Sequence, residues 1–265
     1  MSKVVLISGA SSGLGRSMAH QLAKKGYKVY GSSRQKMDPD PLIEFLPIDL
    51  SDLQSIKAAL QTIETKHNRL DLLINNAGIG IIGPLEFTSP SIILNAFQTN
   101  AFGPMELSRL AIPLLKKSGK SRIASISTIA GEIGLPYRGI YSSSKAALEM
   151  FMESLSMELK PFGISVQIIQ PGDFASGIAA KRLESEMPSK IDYPHYDRII
   201  EEVNSDVDQA WSTELMASKI IESIESATPP LRKRIAPFMQ KLSITLKHCL
   251  PSRMFERIIM NHYKL

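Results

Sequence analysis

Tyr141 and Lys145 are the two side chains whose types and spacing best suit proton chemistry. They lie four residues apart, about one helical turn, so both project to the same side. A phenol has an ordinary pKa of about 10 and is a poor acid near neutrality. A neighbouring ammonium favours the phenolate and lowers that value. Such a pair can pass a proton to or from an alcohol or carbonyl oxygen. Tyr-x-x-x-Lys also arises by chance on helices without chemistry, so the pair needs support from the rest of the chain.

A helix must carry it. From 146 to 160, Ala147, Leu148, Met150, Phe151, Leu155 and Leu159 recur as one apolar stripe. Near the start of the chain, Val4-Val5-Leu6-Ile7 reads as a buried parallel strand. Ser8-Gly9-Ala10-Ser11-Ser12-Gly13-Leu14-Gly15 follows at once, then Met18, Ala19, Leu22 and Ala23 at helical spacing, with Gly26 as a stop. In this strand–turn–helix unit Gly9 permits a tight turn. Gly13 lets backbone approach a phosphate, and Gly15 brings the helix against the sheet. The helix N-terminus then offers N–H groups to an anion.

A second strand starts at Lys28 and ends near Ser33-Arg34. A carboxylate there would grip a ribose 2′-hydroxyl. Ser33 takes its place, and the Arg34 guanidinium suits a 2′-phosphate; a surface arginine is the plainer reading. Phe45–Ile48 forms a third strand, and Asp49 ends it by capping or by reaching an adenine. Ser51 is the expected N-cap of the helix with Ile56, Leu60 and Ile63. A fourth strand, 70–74, ends in Asn75-Asn76-Ala77-Gly78, a polar turn able to admit a flat cofactor. Residues 91–117 are helical and interrupted near Gly103-Pro104; Asn100 within them is either an irregularity with a polar task or a solvated residue. A fifth strand, 122–126, carries Ser127 and Thr128 at its carboxyl end, which faces the ligand crevice in an open parallel sheet. A sixth, 164–169, is broken by Gln170-Pro171-Gly172. Residues 173–210 read as an irregular substrate loop. Helix 215–224, strand 231–236 and closing helices 242–250 and 252–259 complete the chain. Alternating strands and helices define an α/β, doubly wound parallel sheet.

The 265 residues are 43% hydrophobic and 22% charged, ordinary for a soluble globular chain. One cysteine excludes an intrachain disulfide framework. The five histidines show no shared ligand spacing, no Gly-x-Ser-x-Gly elbow is present, and no metal site is expected. The N-terminus has no signal-peptide pattern, which makes the cytoplasm the expected location. From 231 onward stand Arg232, Lys233, Arg234, Lys241, Lys247, Arg253, Arg257 and Lys264, against the single acid Glu256. These charges alternate with apolar residues and lack an aromatic ladder. A solvated helix face or a weak peripheral membrane contact is expected, and nucleic-acid binding is not.

The motifs together resemble the short-chain dehydrogenases/reductases over roughly residues 3–175. Ser8-Gly9-x-x-x-Gly13-x-Gly15, Asn75-Asn76-Ala77-Gly78, Asn100, the hydroxyls before Gly131, Tyr141-x-x-x-Lys145 and Pro171-Gly172 carry the likeness. Lys28-Val29-Tyr30…Arg34 and Pro251-x-Arg253-Met254-Phe255 look most like the NADP(H)-using branch with 17β-hydroxysteroid and retinol dehydrogenases. The resemblance implies one Rossmann-type domain over 1–265, about seven strands, and homo-oligomers such as dimers or tetramers. It implies an NADP(H)-dependent interconversion of an alcohol and a carbonyl. Asn100, Thr128, Tyr141 and Lys145 would be catalytic, Asn100 by holding a water linked to Lys145. The family's serine stands thirteen residues before the tyrosine, where this chain has Thr128, with Ser127 beside it. The cofactor would lie against Gly9, Ser11, Ser12, Gly13, Leu14, Gly15, Ser33, Arg34, Asp49, Leu50, Asn76, Ala77, Gly78, Tyr141, Lys145, Pro171 and Gly172. Ser176 replaces the usual threonine near the nicotinamide amide. Ser127, Thr128, Leu135, Tyr137 and Tyr141 would meet the substrate, and apolar Phe174 and Ile178 point to a lipophilic carbonyl. A non-catalytic NADP(H)-binding regulator is the competing reading.

Overall fold

The computed structural model of the chain describes residues 2–175, 183, 184, 193, 195–208 and 211–265, without the side chains of 184 and 206–208. Seven parallel strands form one sheet: β1 Val4–Ile7, β2 Lys28–Ser33, β3 Ile43–Pro47, β4 Leu72–Asn75, β5 Ser121–Ile126, β6 Ile164–Pro171 and β7 Arg232–Ile235. Their spatial order is β7-β6-β5-β4-β1-β2-β3. The order reverses between β1 and β4, so a crevice opens at the carboxyl ends of those two strands.

Alternation along β1 fills both faces. Val4 and Leu6 join Tyr30, Leu73, Ile123, Leu148 and Met152 on one side. There α2 Leu53–His67, α4 Gly103–Ser118 and α5 Gly139–Leu159 pack. Val5 and Ile7 join Met18, Leu22, Ala124 and Ile220 on the other, under α1 Gly13–Lys24 and α7 Thr213–Glu225. Strands buried on both faces explain the unbroken apolar runs in the sequence.

Several local expectations change. β3 begins at Ile43, because Val29–Ser33 of β2 pairs with 43–47 in register. Asp52 caps α2, accepting from the Gln54 N–H at 2.9 Å. Ser51 does not cap it; its hydroxyl and N–H both go to the Asp49 carboxylate, at 2.7 and 2.9 Å. β6 runs through Gln170 to Pro171, paired with Arg234 and Ile235. The long helix is α3 Pro90–Phe97, a π-helical turn Gln98–Phe102, then α4; Gly103-Pro104 opens α4 rather than interrupting it. On α5, Met150 is 67% exposed, while Leu148, Met152, Leu155 and Leu159 form the buried face.

The expected irregular stretch 173–210 contains a helix, α6 Tyr196–Asp208. Tyr196, Ile199 and Val203 are its buried positions, spaced three and four apart. Two more helices close the chain, α8 Phe238–Cys249 and α9 Ser252–His262. Among the described residues no helix is long and apolar enough to cross a membrane, and none group as a metal-binding cluster.

Asp71 ties the sheet's amino edge together. Its carboxylate accepts from the Val4 N–H at 2.7 Å, the Ser118 hydroxyl at 2.5 Å and Arg69 Nε at 3.2 Å. Burial pushes its pKa up, but these hydrogen bonds and the Arg69 charge outweigh burial and hold it below the usual carboxylate value. A depressed folded-state pKa gives stability that is complete above the unfolded value of about 3.9 and is lost as pH falls through the folded one. Asp71→Asn is expected to cost about 1.5–3 kcal/mol at neutral pH, with the gap to the parent closing in acid. Urea unfolding across pH checks this; a gap independent of pH would contradict it.

Candidate active site

The glycine turn meets the end of β4 at backbone contact. Asn76 Nδ2 donates to the Ser8 and Gly9 carbonyls, at 3.0 and 3.1 Å. The Ser8 hydroxyl accepts from the N–H groups of Asn76 and Ala77, at 2.9 and 3.0 Å. Gly9 and Gly13 have φ of 67° and 54°, values that favour glycine. A Cβ on Gly15 would sit 2.3 Å from the Gly9 carbonyl oxygen. The helix therefore cannot approach this loop with any larger residue there. No acidic side chain stands in the first turn of α1, and Ser12 does not cap it with its side chain. That turn is a cradle of backbone dipoles open to an anion, the fit a dinucleotide's pyrophosphate requires.

Asn75 reaches behind the sheet, donating to the Ser108 and Ser125 hydroxyls at 2.9 and 3.1 Å. Asn100 sits in the π-helical turn, fully buried. Its Oδ1 accepts from the Ile79 N–H at 2.9 Å; its Nδ2 donates to the Ile79 carbonyl at 2.9 Å and the Ser144 hydroxyl at 3.1 Å. The widened turn thus lets one amide clamp the loop after β4 to α5. A Cβ on Gly78 would stand 3.2 Å from both Asn100 Oδ1 and Lys145 Nζ, so the two groups converge on that glycine.

Lys145 is buried and donates to the Ile126 carbonyl at 3.0 Å. Burial drives its pKa down to about 8, with Glu149 partly offsetting the fall. Glu149, one turn along α5, was not singled out by the sequence. It is buried, accepts from the Ser127 hydroxyl at 2.5 Å and from Gln170 Nε2 at 2.9 and 3.0 Å. Burial raises its pKa. Gln170 also donates to Glu132 at 2.6 Å, and Glu132 pairs with Arg234 at 2.9 Å. Ser127 is therefore held inward by a carboxyl group. Among the described residues Thr128 Oγ1 accepts from the Ala130 N–H at 3.2 Å and donates to none of them, which leaves its proton for a substrate oxygen. The sole sequence signal for Glu149 is its four-residue spacing from Lys145.

A cavity of about 1130 Å³ joins these parts. Gly9, Ser11, Ser12, Gly13, Leu14, Gly15, Ser33, Arg34, Asp49, Leu50, Asn76, Ala77 and Gly78 line one arm. Ser127, Thr128, Leu135, Tyr141, Lys145, Pro171, Gly172 and Phe174 line the other. Asn100 stands behind the wall. Tyr137 is outside the lining and packs its ring against Tyr193 and Tyr196. Ser176 and Ile178 lie outside the described residues. Hydrogen bonds from Ser51 hold the Asp49 pKa low, and the charge of Arg34 helps. The Ser33 hydroxyl accepts from the Gln35 N–H at 3.2 Å. The basic tail, expected from the sequence to close the substrate side, lines the cavity with Met239, Leu242 and Leu246 of α8, Ile258 of α9 and Tyr263 just beyond it.

The short chain dehydrogenase profile matches residues 3–187. The chain belongs to the short-chain dehydrogenase/reductase family. It is 32% identical over 265 residues to the 3-ketodihydrosphingosine reductase of Bacteroides thetaiotaomicron, covering 99% of this chain and 98% of that protein. To retinol dehydrogenase 8 of Homo sapiens it is 32% identical over 253 residues, 88% and 81% of the two chains. A short-chain dehydrogenase structure from Streptomyces avermitilis superposes with a TM-score of 0.81 at 27% identity, covering 99% and 96%. This short-chain dehydrogenase is an oxidoreductase acting on CH–OH groups, built on a nucleotide-binding Rossmann fold.

A buried ammonium has a stability consequence. Below the folded pKa of about 8, both folded and unfolded chains carry the Lys145 proton, and the folded one carries it at a desolvation cost. Between that value and the unfolded value of about 10.4, the unfolded chain holds more protons, so stability rises with pH. Lys145→Met is expected to abolish the rise in stability between about pH 8 and 10. Denaturant unfolding of both forms across that range tests this; a variant that keeps the rise would contradict it.

Proposed function

We propose that this short-chain dehydrogenase reduces a lipophilic ketone or aldehyde, and oxidises the matching alcohol, with NADP(H), Tyr141 being the acid and base. The observation that carries the reading is the convergence of Tyr141, Lys145 and Thr128 on the cavity that the glycine turn opens into. The cofactor supplies the hydride. The protein's own residues do the rest. The α1 N-terminus holds the pyrophosphate, and Arg34, exposed at the end of β2 where no carboxylate stands, meets the 2′-phosphate. Thr128 donates to the substrate oxygen and Tyr141 passes it a proton. Lys145 lowers the Tyr141 pKa and holds the nicotinamide ribose. Asn100, clamped to Ile79, fixes the loop beside Lys145. Leu135, Phe174 and the apolar tail side chains shape a pocket for an apolar substrate body. An intact Tyr141, Lys145 and Asn100 set disfavours the non-catalytic regulator.

Two further parts belong to the reading. The chain acts in the cytoplasm, where its exposed Cys249 stays reduced; fractionation of expressing cells would test that. It is a homo-oligomer, since α5 leaves Met150 and Met157, two turns apart, 67% exposed. Ultracentrifugation showing only monomers would remove this part.

Tyr141→Phe is expected to keep the fold and NADPH affinity and to lower kcat by roughly 10²–10⁴-fold. Near-native turnover by that variant on any substrate of the parent would refute the role of Tyr141. Thr128→Ala should lose more activity than Ser127→Ala, because Ser127 spends its proton on Glu149. Arg34→Ala should weaken NADPH binding by about 1.5–3 kcal/mol and spare NADH. Equal affinity of the parent for both cofactors in a fluorescence titration would overturn the NADP(H) preference.

A further inference from the structure

α9 touches the body of the protein with one narrow face. Phe255 and Ile259 are its inward positions, continued four residues on by Tyr263 just past its end, and Phe255 and Tyr263 are buried. Nearly all its other side chains are exposed. Among them Met254 and Ile258 stand four apart, and Arg253 and Arg257 form a parallel row one residue earlier. The neighbouring α8 begins with Phe238 and Met239, 75% and 69% exposed, followed by exposed Lys241. Met239 and Ile258 are both exposed and both line the cavity. They therefore stand at its mouth, which is rimmed by apolar side chains with cations around them.

Charge decides what this rim fits. From 238 to 265 there are five Lys or Arg and one acid, Glu256, which is already paired with Arg253 at 2.7 Å. A second copy presenting the same face would bring like charges together in a low-dielectric contact. A nucleic acid would match the cations but leave Phe238, Met239 and Met254 without partners, and no aromatic row is present to stack bases. A surface that is apolar below and anionic above satisfies both sets of side chains at once.

We propose that the α8–α9 face docks on an anionic lipid bilayer, with Phe238, Met239, Met254 and Ile258 entering the acyl boundary and Lys241, Arg253 and Arg257 meeting the headgroups. The cavity mouth then opens into the bilayer, and an apolar carbonyl compound dissolved there reaches Tyr141 without crossing water. This second step rests on the activity proposed above; docking itself does not.

Co-sedimentation of the full chain with vesicles tests it, using phosphatidylcholine alone and phosphatidylcholine mixed with phosphatidylserine. The parent is expected to pellet with the mixed vesicles and much less with phosphatidylcholine. The double variant Phe238→Glu, Met254→Glu replaces two exposed side chains outside the cavity lining. It should bind about tenfold more weakly or worse, and should keep its melting temperature and its turnover of a water-soluble carbonyl. No pelleting of the parent with mixed vesicles would overturn the proposal. So would equal binding by the double variant, which would mean charge adsorption without insertion. A parent dimer that the double variant abolishes, with no vesicle binding, would assign the face to a second copy instead. Vesicle binding by a chain that reduces no carbonyl would sink the proposed activity and leave this surface standing.

Discussion

Lys145 holds its ammonium inside the protein, 3.0 Å from the Ile126 carbonyl, and much of the site is arranged around that cost. A desolvated cation loses its hydration and pulls its own pKa down, here to about 8. The position is tolerable only because dipoles and a carboxyl group surround it: the Ile126 carbonyl, the Asn100 amide across Gly78, and Glu149 one turn away. Placed so, the lysine lies on the same side of α5 as Tyr141 and can act on its proton. In solvent the same pair would interact weakly, because water screens the charge.

The fold supplies this environment through two unusual backbone features. The first is the close approach of the glycine turn to the end of β4, held by Asn76 and the Ser8 hydroxyl. It brings a helix N-terminus to the crevice where the strand order reverses. The second is the π-helical turn that holds Asn100 inward between α3 and α4. A regular helix there would rotate the amide off the Ile79 backbone. The first needs glycine's positive φ and the second widens a helix, and both adjoin the cavity, as expected where function overrides regularity.

Much of this was legible in the residues. Val4–Ile7, the glycine spacing and the Tyr141 helix carry local patterns that burial on both sheet faces enforces. The resemblance led to the family, which the profile match and the relatives establish. What escaped was long-range. Glu149 reads as one more helix residue until Ser127, just after β5, and Gln170, on β6, close on it. The π-helical turn left only a faint trace, an asparagine inside an apolar helix. α6 was hidden by its acidic composition, although Tyr196, Ile199 and Val203 had helical spacing. Ser51 and Asp52 were both able to cap α2, and only the pull of Asp49 on Ser51 settles which does.

The tail shows how one segment can serve stability and access together. Its inward face, Phe255, Ile259 and Tyr263, packs on residues beside the cavity, and its outer face leaves the mouth apolar. The central claim remains hydride transfer to a carbonyl carbon in the cavity beside Tyr141, and isotope transfer reads that step directly. With NADPH deuterated at the hydride-donating position and a panel of lipophilic ketones, the account predicts deuterium bonded to the carbinol carbon of the product. In water containing deuterium and with unlabelled NADPH, that carbon should carry only hydrogen. Product labelled from the solvent at that carbon, or no product from any ketone while NADPH binds normally, would contradict it.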